Sequence, residues 1–139
     1  LGVAAATNQA PSLAFWVIYA GGVAWVFGYD TIYAVQDMVD DRQSGVKSSA
    51  LGLGQNLHKG VGIAYATAIL LLSTGFYLAM GYGLWFAGVS LMALHLAHQL
   101  RQLDAHDPAM ALRLFKSNRN AGLILTVFTV ADHMLGVGL

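Results

Sequence analysis

Residues 61–100 contain no Asp, Glu, Lys or Arg, and residues 13–36 contain only one, Asp30. About 20 consecutive apolar residues suffice for a helix to cross a hydrocarbon core of about 30 Å. Only 10% of the chain is charged, whereas soluble domains carry about a quarter. The expected fold is therefore all-α, a polytopic transmembrane helix bundle. A first span covers residues 13–36, a second 61–80, a third 84–100 and a fourth from about 121 to the end. Residues 1–6 read as the tail of an earlier helix and TNQAPS, with Pro11, as a turn. Gly21 and Gly22 stand mid-span, where small residues let helices approach closely. The turn MGYG at residues 80–83 is short enough to make the second and third spans antiparallel.

The basic residues orient these spans. Arg42, Lys47 and Lys59 lie in one polar connection; Arg101, Arg113, Lys116 and Arg119 lie in another. The intervening connections, TNQAPS and MGYG, have none. Four spans with this alternation follow the positive-inside rule and place both basic connections in the cytoplasm. There is no cysteine, which excludes disulfides and Cys-based zinc sites. The formal net charge is zero, which speaks against a nucleic-acid partner. No charged leader precedes an apolar segment, so no signal peptide is expected. The first residue is Leu1, which suggests a piece of a longer protein.

The chemistry-bearing stretch is YDTIYAVQDMVDDRQSGVKSSAL, residues 29–51. On a continuous helix Asp30, Asp37, Asp40 and Asp41 fall within an arc of roughly 100°. Such carboxylates repel one another unless a cation sits among them. Asp37 and Asp41 are spaced i, i+4 and project from one face. Hard oxygen donors at that spacing suit Mg²⁺, which takes one or two carboxylates, several waters and substrate phosphate oxygens. Arg42 and Lys47 follow at once, so a metal and an anionic diphosphate can be held side by side. Asp30, about 10 Å deeper, needs a polar cavity or a hydrogen-bonding partner, because lipid penalises it by a few kcal/mol. The competing reading is a solvated acidic helix end followed by a basic loop.

The longer string is more specific than its spacing. YDTIYAVQDMVDD at residues 29–41, followed by SGVKSSALGLG at 44–54, resembles the second aspartate-rich motif of the UbiA superfamily of intramembrane prenyltransferases. It is most similar to the 4-hydroxybenzoate polyprenyltransferases of ubiquinone biosynthesis, whose motif has the form YDTxYAxxDxxDD with a GxKS segment after it. FKSNRNAGLIL at residues 115–125 resembles the family's last cytoplasmic loop entering its final helix, and Leu1-Gly2 fits the run-up.

The resemblance implies a bundle of nine transmembrane helices around a central cavity, with one aspartate motif in each half. It implies Mg²⁺ on those carboxylates, gripping the diphosphate of a polyprenyl diphosphate. Ionisation then leaves an allylic cation, which the phenol ring attacks beside its hydroxyl. Asp37 and Asp41 match the metal-binding pair and Asp40 an intervening position. Lys47 matches the GxKS lysine and, with Arg42, becomes a diphosphate contact. Asp30 and Tyr29 match the YD pair; Asp30 and Tyr33 are expected to line the cavity, with packing an equal alternative for Tyr33. The first motif, NDxxDxxxD, is absent. The chain, residues 1–139, is thus expected to be the C-terminal half of such an enzyme, inactive alone, in a bacterial or mitochondrial inner membrane.

Two alternatives remain open. A related enzyme uses another acceptor, such as a naphthoate, homogentisate or haem. A non-catalytic membrane subunit or cation pathway uses the same carboxylates. Other polar residues are expected to be structural. His95 and His98 read as an interfacial helix end, and His106 with Asp104 and Asp107 as a solvated loop. Asp132 and His133 read as helix-to-helix hydrogen bonding or a frayed terminus.

Overall fold

The computed structural model describes residues 10–45 and 47–136; the side chains of Val39, Asp40 and Arg42 lie outside that description. The apolar tail expected at residues 1–6 is likewise outside the described residues. All regular structure among the described residues is helical. Four long helices form the body: α1 (Leu13–Tyr33), α4 (Leu57–Met80), α5 (Trp85–Gln102) and α6 (Pro108–Leu135). Two short helices, α2 (Met38–Ser44) and α3 (Ser49–Leu53), lie between α1 and α4. Two stretches, Leu13–Tyr33 and Ser49–Met80, are long and apolar enough to cross a membrane.

Local chemistry sets the helix starts. Ser12 caps α1, its Oγ accepting from the Phe15 N–H at 3.3 Å. Asp107 caps α6, accepting from the Met110 N–H at 2.8 Å. Pro108 follows at the first helical position, where a missing N–H costs nothing. Proline here opens a helix instead of interrupting one. The polar residues 108–119, expected to precede the fourth helix, therefore form its first three turns.

The most extensive contact pairs α1 with α4, and the next pairs α5 with α6; α4–α5 and α1–α6 contacts close the ring. Glycines set the α1–α4 distance. Gly21 meets Leu72, Gly28 meets the Tyr65 ring, and Gly75 meets Ile18. Without lipid-excluding hydrophobic force between apolar helices, this close van der Waals approach is a main source of adhesion.

At the turn between α4 and α5, Asp132 is buried and accepts a hydrogen bond from the Leu84 N–H. A carboxylate there also complements the positive end of α5. This is the helix-to-helix role expected for Asp132. A Cβ on Gly83 would overlap that carboxylate. Replacing Asp132 with Ala strands the Leu84 N–H and is expected to lower stability by about 1–3 kcal/mol. Asp132→Asn keeps an acceptor oxygen and should recover most of that loss, read as the midpoint of thermal unfolding in detergent.

Candidate functional site

The end of the bundle opposite Asp132 carries the aspartate-rich stretch. α1 does not run through it. After Tyr33 the backbone tightens into i→i+3 bonds: Val35 N–H to Ile32 at 3.1 Å and Gln36 N–H to Tyr33 at 3.0 Å. A helix then restarts with Asp37 at its N-cap. The continuous helix expected from Asp30 to Asp41 is thus broken at residues 34–37. Burial explains the break: Val35 is 2% exposed and packs into the core cluster, which draws the chain inward at that point.

The i, i+4 relation of the two central aspartates survives, because the Asp41 N–H bonds the Asp37 carbonyl at 2.7 Å. Asp37 is exposed and Asp41 half-buried. Among the described residues neither carboxylate has an ion pair, and no cluster of three or more metal-binding side chains forms. Asp40 and Arg42 were expected to join this site; their side chains lie outside the described residues. Gly45 ends α2 in the left-handed region at φ 73°, a geometry glycine adopts without Cβ strain.

The chain then turns back towards α1. Ser48 caps α3, accepting from the Leu51 N–H at 3.4 Å. Ser49 Oγ lies 3.0 Å from Thr31 Oγ1, and Ala50 is fully buried. This return pins the segment carrying Lys47 beside the last turn of α1. Lys47 itself is exposed.

Asp30 sits on the exposed side of α1. Tyr33 is 43% exposed and its ring lies 4.7 Å from that of Phe115. Tyr29 contacts both Phe115 and Trp25, at 5.7 and 5.6 Å between ring centroids. Trp25, Tyr29 and Phe115 wall a recess of about 350 Å³, completed by Lys116, Asn118, Arg119 and Gly122; Tyr33 is not among its lining residues. A larger cavity, about 740 Å³, lies on the other side of α2, between Met38, Gln43, His58 and the 103–106 connection. There His106 and Asp104 form an exposed pair at 3.2 Å. The His106 backbone N–H and ring hold the Asp104 carboxyl below its ordinary value. This is the solvated loop expected from sequence.

One polar assembly was not anticipated. Gln99 is 1% exposed and joins three of the long helices. Its Oε1 accepts from the Tyr65 hydroxyl at 2.8 Å, and its Nε2 donates to Ser117 Oγ at 2.7 Å. Asn118 donates to Gln99 Oε1 at 3.4 Å and accepts from Trp25 Nε1 at 2.9 Å, adding α1. His95, expected at an interface, instead turns inward and donates to the Ser117 carbonyl at 3.1 Å. Among the described residues no buried side-chain polar atom lacks a partner. The only sequence signal was the amide Gln99 inside an otherwise apolar stretch; Asn118 stands among polar residues in FKSNRN. This network fixes Trp25, and with it one wall of the aromatic recess.

The UbiA prenyltransferase family matches residues 1–125. The chain is 36% identical over 118 residues to the mitochondrial 4-hydroxybenzoate polyprenyltransferase of Drosophila pseudoobscura pseudoobscura, covering 85% of this chain and 30% of that protein. It is 38% identical over 120 residues to the human protein of the same name, covering 84% and 32%. It is 31% identical over 133 residues to the 4-hydroxybenzoate octaprenyltransferase of Nitrosomonas eutropha, covering 95% and 46%. The chain thus spans between 30% and 46% of the length of these relatives. No solved structure matches it.

Proposed function

Because this chain belongs to the UbiA prenyltransferase family, we propose that it is part of a membrane enzyme that moves a polyprenyl group from its diphosphate to 4-hydroxybenzoate. The observation carrying this reading is the pair Asp37–Asp41, one helical turn apart at the start of α2 and with neither carboxylate in an ion pair among the described residues.

The donor set fits a divalent metal. Asp37 and Asp41 offer hard oxygens one turn apart, and neither is committed to another group among the described residues. Two carboxylates with open positions are what Mg²⁺ needs when a substrate diphosphate completes its shell. When bound, the ion neutralises charge on the departing diphosphate. Lys47 supplies a second positive charge to the same group. The C–O bond from the prenyl C1 to the diphosphate breaks, a C–C bond forms at the ring carbon beside the phenol hydroxyl, and that carbon loses its proton. Tyr29, Tyr33 and Phe115 present ring faces near the reacting end. Their role is to exclude water and favour positive charge.

The recess also suits this acceptor. A planar ring can lie against the aromatic wall of Trp25, Tyr29 and Phe115, with Lys116 or Arg119 at the rim to pair with a carboxylate. Arg119→Ala is expected to raise KM for 4-hydroxybenzoate about tenfold with little change in kcat, since one charge-assisted contact is removed from bound substrate and transition state alike. A neutral phenol acceptor should be indifferent to the change. The positive charge of both basic connections supports a cytoplasmic or equivalent matrix-side location for them. The cation-pathway alternative gains no support from the buried network, whose members are neutral and mutually bonded.

The direct test is a labelled transfer assay on the full-length protein in membranes. Mg-dependent prenylation of 4-hydroxybenzoate supports the reading. Turnover on naphthoate or homogentisate alone, or none on any phenol, overturns it. Residues 1–139 expressed without the rest are expected to show no turnover.

A further inference from the structure

Between α4 and α5 lies a groove of about 490 Å³ that belongs to neither the aspartate site nor the aromatic recess. The two helices are joined by a tight turn, yet they touch far less than α1 and α4 do. Small residues open the groove, Gly62, Ala66 and Ser73 on α4 with Ala93 and Ala97 on α5, between the larger side chains of Tyr65, Ile69, Leu70, Leu96 and Leu100. The walls are almost wholly apolar, and Ala66 and Ala97 are exposed to the outside of the bundle.

Two features identify the occupant. The first is length. From Gly62 to Ser73 a helix rises about 16 Å, half of a hydrocarbon core of about 30 Å. The groove is therefore one leaflet deep, and it starts at the basic end of the bundle. The second is charge. Lys59 stands one turn before Gly62, and Arg101 one turn after Ala97, so both helices end their groove faces in a cation. Both residues are exposed, and among the described residues neither has an ion pair.

We propose that this groove holds one acyl chain of an anionic glycerophospholipid from the leaflet at the basic end, with its phosphate between Lys59 and Arg101. The small side chains leave room for the chain, and the ammonium and guanidinium groups take the phosphate oxygens. A basic pocket between helices at this level is a recurrent setting for acidic lipid headgroups. The site would fasten α4 to α5 where protein contact is thin. It does not depend on the prenyl-transfer reading.

The test is native mass spectrometry of the full-length protein in mild detergent, with equal amounts of palmitoyl-oleoyl phosphatidylglycerol and phosphatidylcholine. One phosphatidylglycerol should be retained in about tenfold preference, the order expected from two cations near a membrane surface. Lys59→Ala with Arg101→Ala should bring the two lipids to near parity. Ala97→Phe, which fills the groove and leaves both cations, should abolish retention of either lipid. Three results would each overturn the proposal: no preference in the unmodified protein, unchanged retention in Ala97→Phe as when another helix covers the groove, or displacement of the lipid by a polyprenyl diphosphate. Each variant is read as a ratio within one folded, monodisperse sample, so loss of yield does not mimic the effect.

Discussion

Asp37→Ala in the full-length protein is expected to lower kcat for prenyl transfer by a hundredfold to a thousandfold, about the cost of removing one electrostatic contact to a leaving group. Asp37 is the exposed N-cap of α2 and makes no side-chain cap bond. Its removal therefore subtracts charge without unbuttoning a helix. Asp41→Ala should cost a similar factor. The pair should not be additive, because two ligands of one ion act as a unit. Asp37→Asn keeps the shape and loses the charge, so its activity should recover partly as Mg²⁺ is raised, whereas the double alanine variant should not respond. Asp104→Asn is the control: the same charge is removed from an exposed loop at the same end of the bundle, and activity should stay within about twofold. Full turnover by Asp37→Ala/Asp41→Ala would remove these carboxylates from the reaction.

That experiment probes the part of the site that sequence already displayed. The i, i+4 spacing of Asp37 and Asp41 is written in the chain, and a single backbone bond preserves it. The apolar stretches over 13–33 and 57–80 are equally plain, because nothing but a helix satisfies backbone groups at that hydropathy. The break at residues 34–37 was not legible. No glycine or proline marks it, and its cause is tertiary: Val35 is drawn into a core assembled from helices far along the chain. The start of α6 was misread for the opposite reason. Residues 108–119 are polar, which hides a helix that the Asp107-Pro108 pair opens. The Gln99 network was invisible because Trp25, Tyr65, Gln99 and the adjacent Ser117 and Asn118 lie far apart in the chain, and only the fold brings their polar atoms within bonding distance.

That network gives a glycine an unusual weight. Gly28→Leu is expected to be the most damaging single substitution in the bundle, costing about 3 kcal/mol or more. A Cβ at position 28 would lie 2.5 Å from Tyr65 Cε1 and 2.7 Å from Cδ1, a severe clash with the ring edge. Overpacking is often relieved when the neighbouring ring swings aside. Tyr65 has no such freedom: it is 4% exposed, and its hydroxyl is held by Gln99 Oε1 at 2.8 Å. The clash must either part α1 from α4 or tear Tyr65 from Gln99, stranding a hydroxyl and an amide in the bundle interior. Both routes shift the end of α1 that positions Asp37. The loss should thus appear twice, as a lower unfolding midpoint in detergent and as reduced kcat in what remains folded. Gly22→Leu, six residues earlier on α1, meets nothing within 4 Å at its Cβ and should be tolerated. The double variant Gly28→Leu/Tyr65→Ala removes the ring that blocks the new side chain. It should regain part of the stability if the clash is the cause, and none if glycine is needed at position 28 for some other reason.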